Sequence, residues 1–389
     1  MPFRKKHQFA AIVQNTCMIT LAYFIDPFLE APASLQDQAF LDAIPDLAAR
    51  LPDYRHIALT TFPGISLDAG ADSALRLTVL PLPRYSLLGK KAAMLQSLRK
   101  WLAAEDVKLF FTSDPELVFP HAGHTLLVTS AAKLLQKAPG GKLLGKKNTT
   151  GWMAASRIIV PHEADRTRLL SAFPGLENKI KVIYPAFQEP VPSLGWSEQE
   201  QVKLRYSGGR DYLIFAGALD KSHDLVNLLR SYSLFKKWLM TGMPIILAGP
   251  ATDYTPEFEK LLESYKYNSD VSLFPNPGED ELKEMLAGAY ALVWPAEGTN
   301  DAWPIEWAFH AGTPVISTDH AGIRELCSGA ALLSSAGDLD QMAQNLMILY
   351  KDEHLRARLI EKGRERALEL NRETTLNQYA NSILELCGR

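Results

Sequence analysis

Cysteine is scarce in this chain of 389 residues, which contains Cys17, Cys327 and Cys387 and no others. The number is odd, and no Cys-x-x-Cys pair or Cys/His spacing typical of zinc ligands occurs. These absences argue against a disulfide framework and against a structural zinc site. They favour a protein of a reducing, cytoplasmic compartment.

Long apolar runs are absent as well. No stretch reaches the ~20 apolar residues that a membrane-spanning helix needs. Arg4, Lys5 and Lys6 precede an uncharged stretch that superficially resembles an export signal, but polar residues at 14–16 interrupt it. We interpret the short apolar run Phe9–Val13 as the first buried strand.

A strong net charge is also missing, since 41 basic and 44 acidic side chains leave a formal charge of −3. Residues 1–190 carry 22 basic and 16 acidic side chains, whereas the remainder carries 19 and 28. The two halves are therefore expected to face different partners. No nucleic-acid-binding motif or strongly basic domain occurs, so nucleic acid is not an expected partner.

Short β-branched runs alternate with helical patterns along the chain, which is typical of a parallel sheet with crossover helices. In the first half, Pro45 should end or kink the predicted helix Leu35–Ile44. The other predicted elements of this half are strands Ile57–Thr61, Leu75–Leu80, Val107–Phe111, Thr125–Thr129, Arg157–Val160 and Ile180–Tyr184, and helices Lys90–Ala104 and Glu163–Ala172.

The second half repeats the pattern more regularly. A helix beginning at Asp224 has apolar residues at helical spacing, which predicts one face packed on the sheet. The predicted strands are Tyr212–Ala216, Ile245–Ala248, Val271–Phe274, Ala291–Trp294 and Val315–Ser317, and the further helices are Glu257–Tyr265, Asp280–Ala289, Ile305–His310, Leu339–Tyr350, Glu353–Leu370 and Glu373–Leu386.

These patterns predict an α/β protein with two Rossmann-like doubly wound domains that face a cleft. The first domain covers residues 1–190 and the second covers 211–370. Residues 191–210, rich in proline, glycine and charge, form a linker with a short helix near Glu198–Lys203. In such domains ligands bind at the carboxyl ends of the strands, where helix N-termini and free N–H groups converge.

Glycine-containing segments follow several predicted strands of the second half in a fixed order. They are Phe215–Asp220, Leu247–Gly249, Trp294–Gly298, Ala311–Ile316 and Ala321–Glu325. Their order and spacing resemble the GT-B glycosyltransferases of family 4, which are retaining and metal-independent. The resemblance is strong over about Ala154–Leu386 and weak over the first 150 residues.

The resemblance implies a role for each matched position. Glu297 corresponds to the first glutamate of the family's paired-glutamate motif, near the donor sugar, and is the expected catalytic residue. Glu306 would hold the ribose hydroxyls, and Gly217 would lie against the diphosphate. Gly298 and Thr299 would line the donor site, and the loop beginning at Pro275 and Asn276 would contact the base. No metal or other cofactor is expected, because the nucleotide-sugar is a substrate.

The phosphate-binding residues differ from the family pattern. Ala218 stands where the family has arginine, and His223 stands where it has lysine. Those two cations normally hold the diphosphate. Lys221 or a protonated His223 could contact the phosphates instead, whereas the ordinary interpretation of His223 is helix capping or solvent exposure.

The glutamate pair and the first domain differ as well. Eight residues separate Glu297 from Glu306, where the family has seven, and counting back from Gly312 places the second glutamate at Trp307. Ser130 occupies the position of the family's catalytic histidine, and Asn15-Thr16-Cys17 occupies the region of its glycine pair. Asn15, His124 and Ser130 are the candidate acceptor-side residues.

Several of these residues also have ordinary structural interpretations. Glu297 could cap a helix, and Glu306 could be favoured in a first turn by the helix dipole alone. Arg324 and Glu325 could form a surface pair. Trp294, Trp303 and Trp307 most simply fill the core, although Trp303 could line the cleft.

The segment Lys133–Lys147 is basic and contains no acidic residue. Leucine pairs interleave its lysines, so it could dock on an anionic membrane at the inner face, or it could be a solvated loop.

The sequence thus predicts a cytoplasmic retaining glycosyltransferase that moves a sugar from a nucleotide-sugar to a glycan or lipid-linked acceptor. The final helix, residues 371–389, should pack back onto the first domain, as in similar proteins. Two alternatives stay open. One is a catalytically degenerate relative that binds nucleotide or glycan in a polysaccharide assembly complex, and the other is a GT-B epimerase of sugar nucleotides.

Overall fold

The computed structural model describes residues 18–29, 35–65, 75–81, 90–135, 151–185, 191–295 and 302–388. The predicted strand Phe9–Val13 lies outside these residues. So do the candidate site residues Asn15, Glu297, Gly298 and Thr299.

The first domain is built on a parallel sheet with the order β3-β2-β1-β4-β5-β6-β7 among the described residues. The order changes direction between β1 and β4, which creates a topological switch point at their carboxyl ends. Strand β1 was not among the predicted elements. The strands are β1 Ile19–Phe24, β2 Tyr54–Thr60, β3 Leu75–Val79, β4 Val107–Thr112, β5 His124–Val128, β6 Arg157–Val160 and β7 Ile180–Val182.

Five helices of the described residues accompany this sheet: α1 Asp26–Leu29, α2 Leu35–Arg50, α3 Lys90–Ala104, α4 Ala131–Leu135 and α5 Glu163–Ala172. The predicted end of the second helix at Ile44 is wrong, because α2 continues through Pro45 to Arg50. Phe40, Ile44 and Leu47 are buried against the sheet. Packing on both sides of Pro45 therefore offsets the backbone hydrogen bond that proline removes.

The second domain repeats the architecture with the sheet order β10-β9-β8-β11-β12-β13. Its switch point lies between β8 and β11. The strands are β8 Leu213–Ala216, β9 Ile245–Gly249, β10 Val271–Pro275, β11 Ala291–Trp294, β12 Val315–Thr318 and β13 Ala331–Ser334. The last of these, β13, was missed because three of its four residues are only partly buried at the sheet edge.

The helices of the second half are α6 Trp196–Ser207, α7 Leu225–Leu239, α8 Thr255–Glu263, α9 Glu279–Ala287, α10 Trp303–Ala311, α11 Ala321–Cys327, α12 Leu339–Lys351, α13 Glu353–Glu369 and α14 Arg372–Cys387. Helix α7 buries Leu225, Leu228, Tyr232 and Phe235 along one face. This spacing of three to four residues is the one that predicts a helix packed on a sheet. The described part of the chain contains no helix long and apolar enough to cross a membrane.

The segment between the domains contains more structure than the sequence predicts. Helix α6 extends over 12 residues and ends at Gly208, whose φ is 64°. Arg205 and Tyr206 both bond to Glu284 of α9. The helix is therefore attached to the second domain.

The last helix, α14, lies against the first domain. Tyr379 and Ile383 join the apolar cluster around Phe40. Arg372 donates to Asp46 at 2.7 Å, and Glu385 accepts from Lys181 at 2.7 Å. The chain thus returns to its first sheet after it completes the second.

Candidate functional site

The carboxyl ends of β8 and β11 form the centre of the candidate site. Gly217 follows β8, and its N–H donates to the carbonyl of Ala248 at 2.9 Å. A Cβ atom on Gly217 would lie 2.7 Å from Cζ3 of Trp294, and one on Gly249 would lie 2.0 Å from the carbonyl oxygen of Gly217. Only glycine fits at these two buried positions, where the loops after β8 and β9 pack directly against each other.

A short hydrogen-bonded turn continues this loop. The carboxylate of Asp220 accepts from the N–H of Ser222 at 2.9 Å and from Nδ1 of His223 at 2.8 Å. Partial burial raises the pKa of Asp220, but the bonds from Ser222 and the charge of His223 outweigh it and hold the pKa below its usual value. Asp220 therefore fixes the shape of the turn that follows Ala218.

His223 is buried, so the expectation of solvent exposure is wrong. Its ring lies edge-on to Trp294 at 4.9 Å between centroids and to Phe215 at 5.5 Å. With Nδ1 bonded to Asp220, the ring packs between the loop and the aromatic side chains of the core. This placement weakens the interpretation of His223 as a phosphate contact.

Lys221 is the exposed cation of the same turn. Its side chain is 69% exposed, and Nζ lies 3.1 Å from Glu257 and 4.9 Å from the ring centroid of Tyr254. Exposed pairs of this kind are weak, at about 0–1 kcal/mol. Lys221 can therefore exchange Glu257 for another anion at little cost.

The loop after β10 is held by Asn276. This residue has a φ of 55°, its N–H donates to Gly249, and its side-chain oxygen accepts from the N–H of Ala251 at 2.9 Å. Pro275 is the exposed last residue of β10. Asn276 thus ties the loop predicted to contact the base to the loop after β9.

Helix α10 carries the predicted ribose ligand. It begins at Trp303, two residues before the predicted start, and places Glu306 in its first turn, where the side chain is buried. Trp307 is buried beside it, with Nζ of Lys283 at 5.1 Å from its ring centroid. Trp303 is half-buried and contacts Trp307, and Trp294 is fully buried, so these two contribute to the core.

In the first domain, Ser130 follows β5 at the cleft edge, and its Oγ accepts from the N–H of Lys133. His124 is the first residue of β5, at the opposite edge of the sheet, where Nδ1 contacts Oγ of Ser156 at 3.1 Å. Six residue steps of extended chain separate the two by roughly 20 Å. This placement removes His124 from the acceptor side, because parallel strands bring only their carboxyl ends to the cleft.

The loop after β1 begins at Ile25, so Asn15 precedes this strand instead of following it. Asp26 occupies the strand end, where its buried carboxylate accepts from Oγ1 of Thr60 at 2.5 Å and from the N–H of Thr61 at 3.0 Å. The sequence reasoning missed Asp26. The apolar run from Ile19 to Ile25 before it was the available signal.

His162, directly after β6, is a second cleft residue for which the sequence predicted no site role. It is 4% exposed, and its Nδ1 has no hydrogen-bond partner among the described residues. Burial lowers the pKa of His162, and the nearby carboxylates of Asp165 and Glu325 only partly offset this. Burial also raises the pKa of Asp165, which accepts from the N–H of Ala131 at 3.0 Å.

Glu325 does not form the predicted surface pair with its neighbour. Arg324 binds Asp319 at 2.7 Å. Glu325 instead reaches the first domain, where it accepts from the N–H groups of Glu163 at 2.7 Å and Ala164 at 2.9 Å. Sequence spacing could not reveal a contact over 162 positions.

The second half of the chain matches known proteins in sequence. Residues 197–366 match the sequence profile described as glycosyl transferases group 1. O-antigen chain mannosyltransferase B of Escherichia coli is 20% identical over 183 residues, which cover 47% of this chain and 47% of that protein. Trehalose phosphorylase of Pleurotus pulmonarius is 25% identical over 193 residues, 44% of this chain and 25% of that protein. The chain thus spans less than half the length of the curated relatives it matches.

Solved structures match over nearly the whole chain. WaaG, a glycosyltransferase involved in lipopolysaccharide biosynthesis, gives a TM-score of 0.69 at 15% identity, covering 94% of this chain and 99% of that one. HepE of Anabaena, solved with UDP and glucose, gives 0.72 at 14% identity, with 95% and 100% covered. Sucrose-phosphate synthase of Thermosynechococcus elongatus gives 0.74 at 14% identity, with 95% and 99% covered. These likenesses establish the two-domain GT-B fold predicted from the sequence.

Proposed function

Since residues 197–366 form a glycosyl transferases group 1 domain within a GT-B fold, we propose that the protein moves a sugar from a nucleotide-sugar donor to an acceptor. The donor binds at the carboxyl ends of β8 and β11, and the acceptor binds on the first domain. Transfer retains the configuration at the anomeric carbon and uses no metal ion.

The observation that carries this proposal is the close packing of two glycine-containing loops at the switch point of the second sheet. Gly217 and Gly249 pack so closely that neither tolerates a Cβ atom. A nucleoside diphosphate leaving group carries negative charge that must be stabilised in the transition state, and ligands of this fold bind at the carboxyl ends of the strands at such a switch point.

In the proposed site, Glu297 lies at the donor sugar and Glu306 at the ribose. Gly298 and Thr299 line the same pocket. A buried carboxylate such as Glu306 suits vicinal hydroxyl groups, which donate two hydrogen bonds to it. With Ala218 in the arginine position and His223 bonded to Asp220, Lys221 is the cation that this loop offers the diphosphate.

The acceptor is proposed to be a glycan or a lipid-linked glycan, as the O-antigen and lipopolysaccharide context of the relatives suggests. The protein would then work at the inner face of a membrane, with Lys133–Lys147 docking on anionic lipid. Co-sedimentation with vesicles that contain anionic lipid tests this. Absence of binding at low salt would remove the membrane contact but not the transferase.

A donor screen tests the proposal. The purified protein is titrated with uridine, guanosine, adenosine and thymidine diphosphate sugars, and binding is followed by ligand-observed NMR. We expect saturable binding of one donor, weakened in Glu297→Ala and Glu306→Ala, followed by transfer to a matching acceptor. Binding without turnover on any acceptor would favour the degenerate relative in an assembly complex, and no binding at millimolar donor would contradict the proposal.

A further inference from the structure

The contact between Glu325 and α5 joins the two domains beside the cleft. Helix α5 begins directly after β6 of the first sheet, and α11, which carries Glu325, begins shortly after β12 of the second. Parallel strands bring both helix starts to carboxyl edges, which are the edges that bind ligands in this fold. The carboxylate therefore bridges the walls of the cleft.

Glu325 supplies the N-terminal cap that the sequence of α5 lacks. The first N–H groups of a helix have no acceptor within the helix. His162 stands at the N-cap position, but its side chain accepts no capping bond. The carboxylate of Glu325 accepts from the N–H groups of Glu163 and Ala164 instead, with a charge that the positive end of the helix dipole favours.

The carboxylate also binds Tyr184, which follows β7 of the first domain. The hydroxyl of Tyr184 donates to it, and burial together with this bond raises the pKa of Tyr184 to about 12. Arg366 of α13 donates to the carbonyls of Glu325 at 3.2 Å and Leu326 at 2.8 Å, and its guanidinium lies 5.5 Å from the ring centroid of Tyr184. The end of α11 is thereby fixed to the body of the second domain.

We propose that Glu325 is a positioning residue that sets the distance and orientation of the two domains across the cleft. It touches neither donor nor acceptor and acts through α5 and α11, which carry His162 and His320 at their starts. The importance of this contact for sugar transfer rests on the function proposed above. Because the donor binds within the second domain alone, loss of Glu325 lowers kcat much more than it raises the donor KM.

Amide hydrogen exchange at residues 163 and 164 measures the contact directly. Among the described residues these N–H groups have no other acceptor, so their protection reports how often the domains are joined. In the intact protein we expect both amides to be protected. In Glu325→Ala their protection falls about tenfold or more, as expected from the loss of charge-assisted bonds, whereas the amide of Phe173, bonded within the helix to Leu169, is unchanged.

Glu353→Ala is the matched control, since it removes an acidic side chain that is 70% exposed on α13 of the same domain. Glu325→Gln, which keeps one acceptor oxygen, should lose protection to an intermediate extent. Unprotected amides 163 and 164 in the intact protein, or equal protection in Glu325→Ala, would overturn the proposal. Exchange needs no turnover, so failure to find a transfer reaction would count against the proposed function and leave this inference standing.

Discussion

At the residue scale, two glycines determine the geometry of the proposed donor loop. Gly249 has a φ of 149°, and its α-carbon faces the backbone of Gly217 with no room between them. This close approach is possible only because both residues lack a Cβ atom. The loops after β8 and β9 are consequently fixed relative to one another before any ligand binds.

Gly249→Ala should therefore destabilise the protein strongly. The added methyl group would lie 2.0 Å from a carbonyl oxygen, so the two strand ends must separate. We expect a loss of more than about 3 kcal/mol in the free energy of unfolding, measured by urea denaturation. Gly242→Ala is the control, since nothing lies within 4 Å of its added Cβ atom, and a similar loss there would refute the steric explanation.

Lys221→Ala should weaken donor binding about fivefold without affecting stability. An exposed cation near a diphosphate contributes about 1 kcal/mol, which corresponds to this factor. The exposed Lys260 of α8 provides the control, because Lys260→Ala removes the same charge away from the loop. Titration with the donor identified in the screen gives the two affinities, and equal affinities would exclude Lys221 from the phosphate site.

Two buried histidines make stability depend on pH. Burial lowers the pKa of His56 and of His162. A hydrogen bond that the His56 ring donates to the carbonyl of Leu51 partly offsets this in the first case, and the carboxylates of Asp165 and Glu325 do so in the second. The unfolded chain then binds more protons below its pKa of about 6.5 than the folded chain does, so stability is present above this pH and falls as the pH drops through it.

Between pH 7.5 and 5.5 we expect a loss of about 1 kcal/mol for each histidine that stays neutral. Urea denaturation at the two pH values measures it. Asp165, whose pKa burial raises, acts in the opposite direction at lower pH. His56→Asn should reduce the pH dependence, and a stability that is constant or higher at pH 5.5 would show that these rings become protonated in the folded state.

At the scale of the elements, α14 connects the end of the chain to the first sheet. Its Tyr379 is 2% exposed and lies 5.0 Å from Phe40 between ring centroids. Arg50 binds Glu373, and Arg372 binds Asp46, at the end of the helix that meets α2. Because residues distant in sequence form this layer, the first domain is incomplete without the last helix.

Tyr379→Ala should cost about 3–5 kcal/mol, as expected for removal of a buried aromatic side chain. Leu368→Ala, at a position 75% exposed on α13, should change stability by less than about 0.5 kcal/mol. Urea unfolding followed by fluorescence compares the two variants. If Tyr379→Ala unfolded only the second domain, the attachment of α14 to the first sheet would be refuted.

At the scale of the whole molecule, the two sheets are joined at α14 and at Glu325. The helix holds the domains on one side, while the carboxylate of Glu325 bridges their carboxyl edges through hydrogen bonds from Glu163, Ala164 and Tyr184. A contact of this size can open and close at little cost, as domain closure around a substrate requires.

The sequence by itself determined most of the strands and helices of both sheets. Predicted strands such as Arg157–Val160 and Ala291–Trp294 match the structure residue for residue, because strands buried on both faces are mostly apolar. The resemblance of the glycine segments to family 4 also predicted the GT-B fold. Pro45 misled the reasoning, since tertiary packing outweighed its local preference.

Only the tertiary structure decided which polar residues meet at the cleft. His124 lies at the opposite edge of the sheet, and His223 is buried in the core. Asp26, His162 and Glu325 lie at the cleft edge, where the sequence had not predicted them. Spacing along the chain specifies which face of an element is apolar. It does not specify which strand ends become neighbours or which helix start receives a carboxylate from another domain, because those pairings depend on strand order and domain packing.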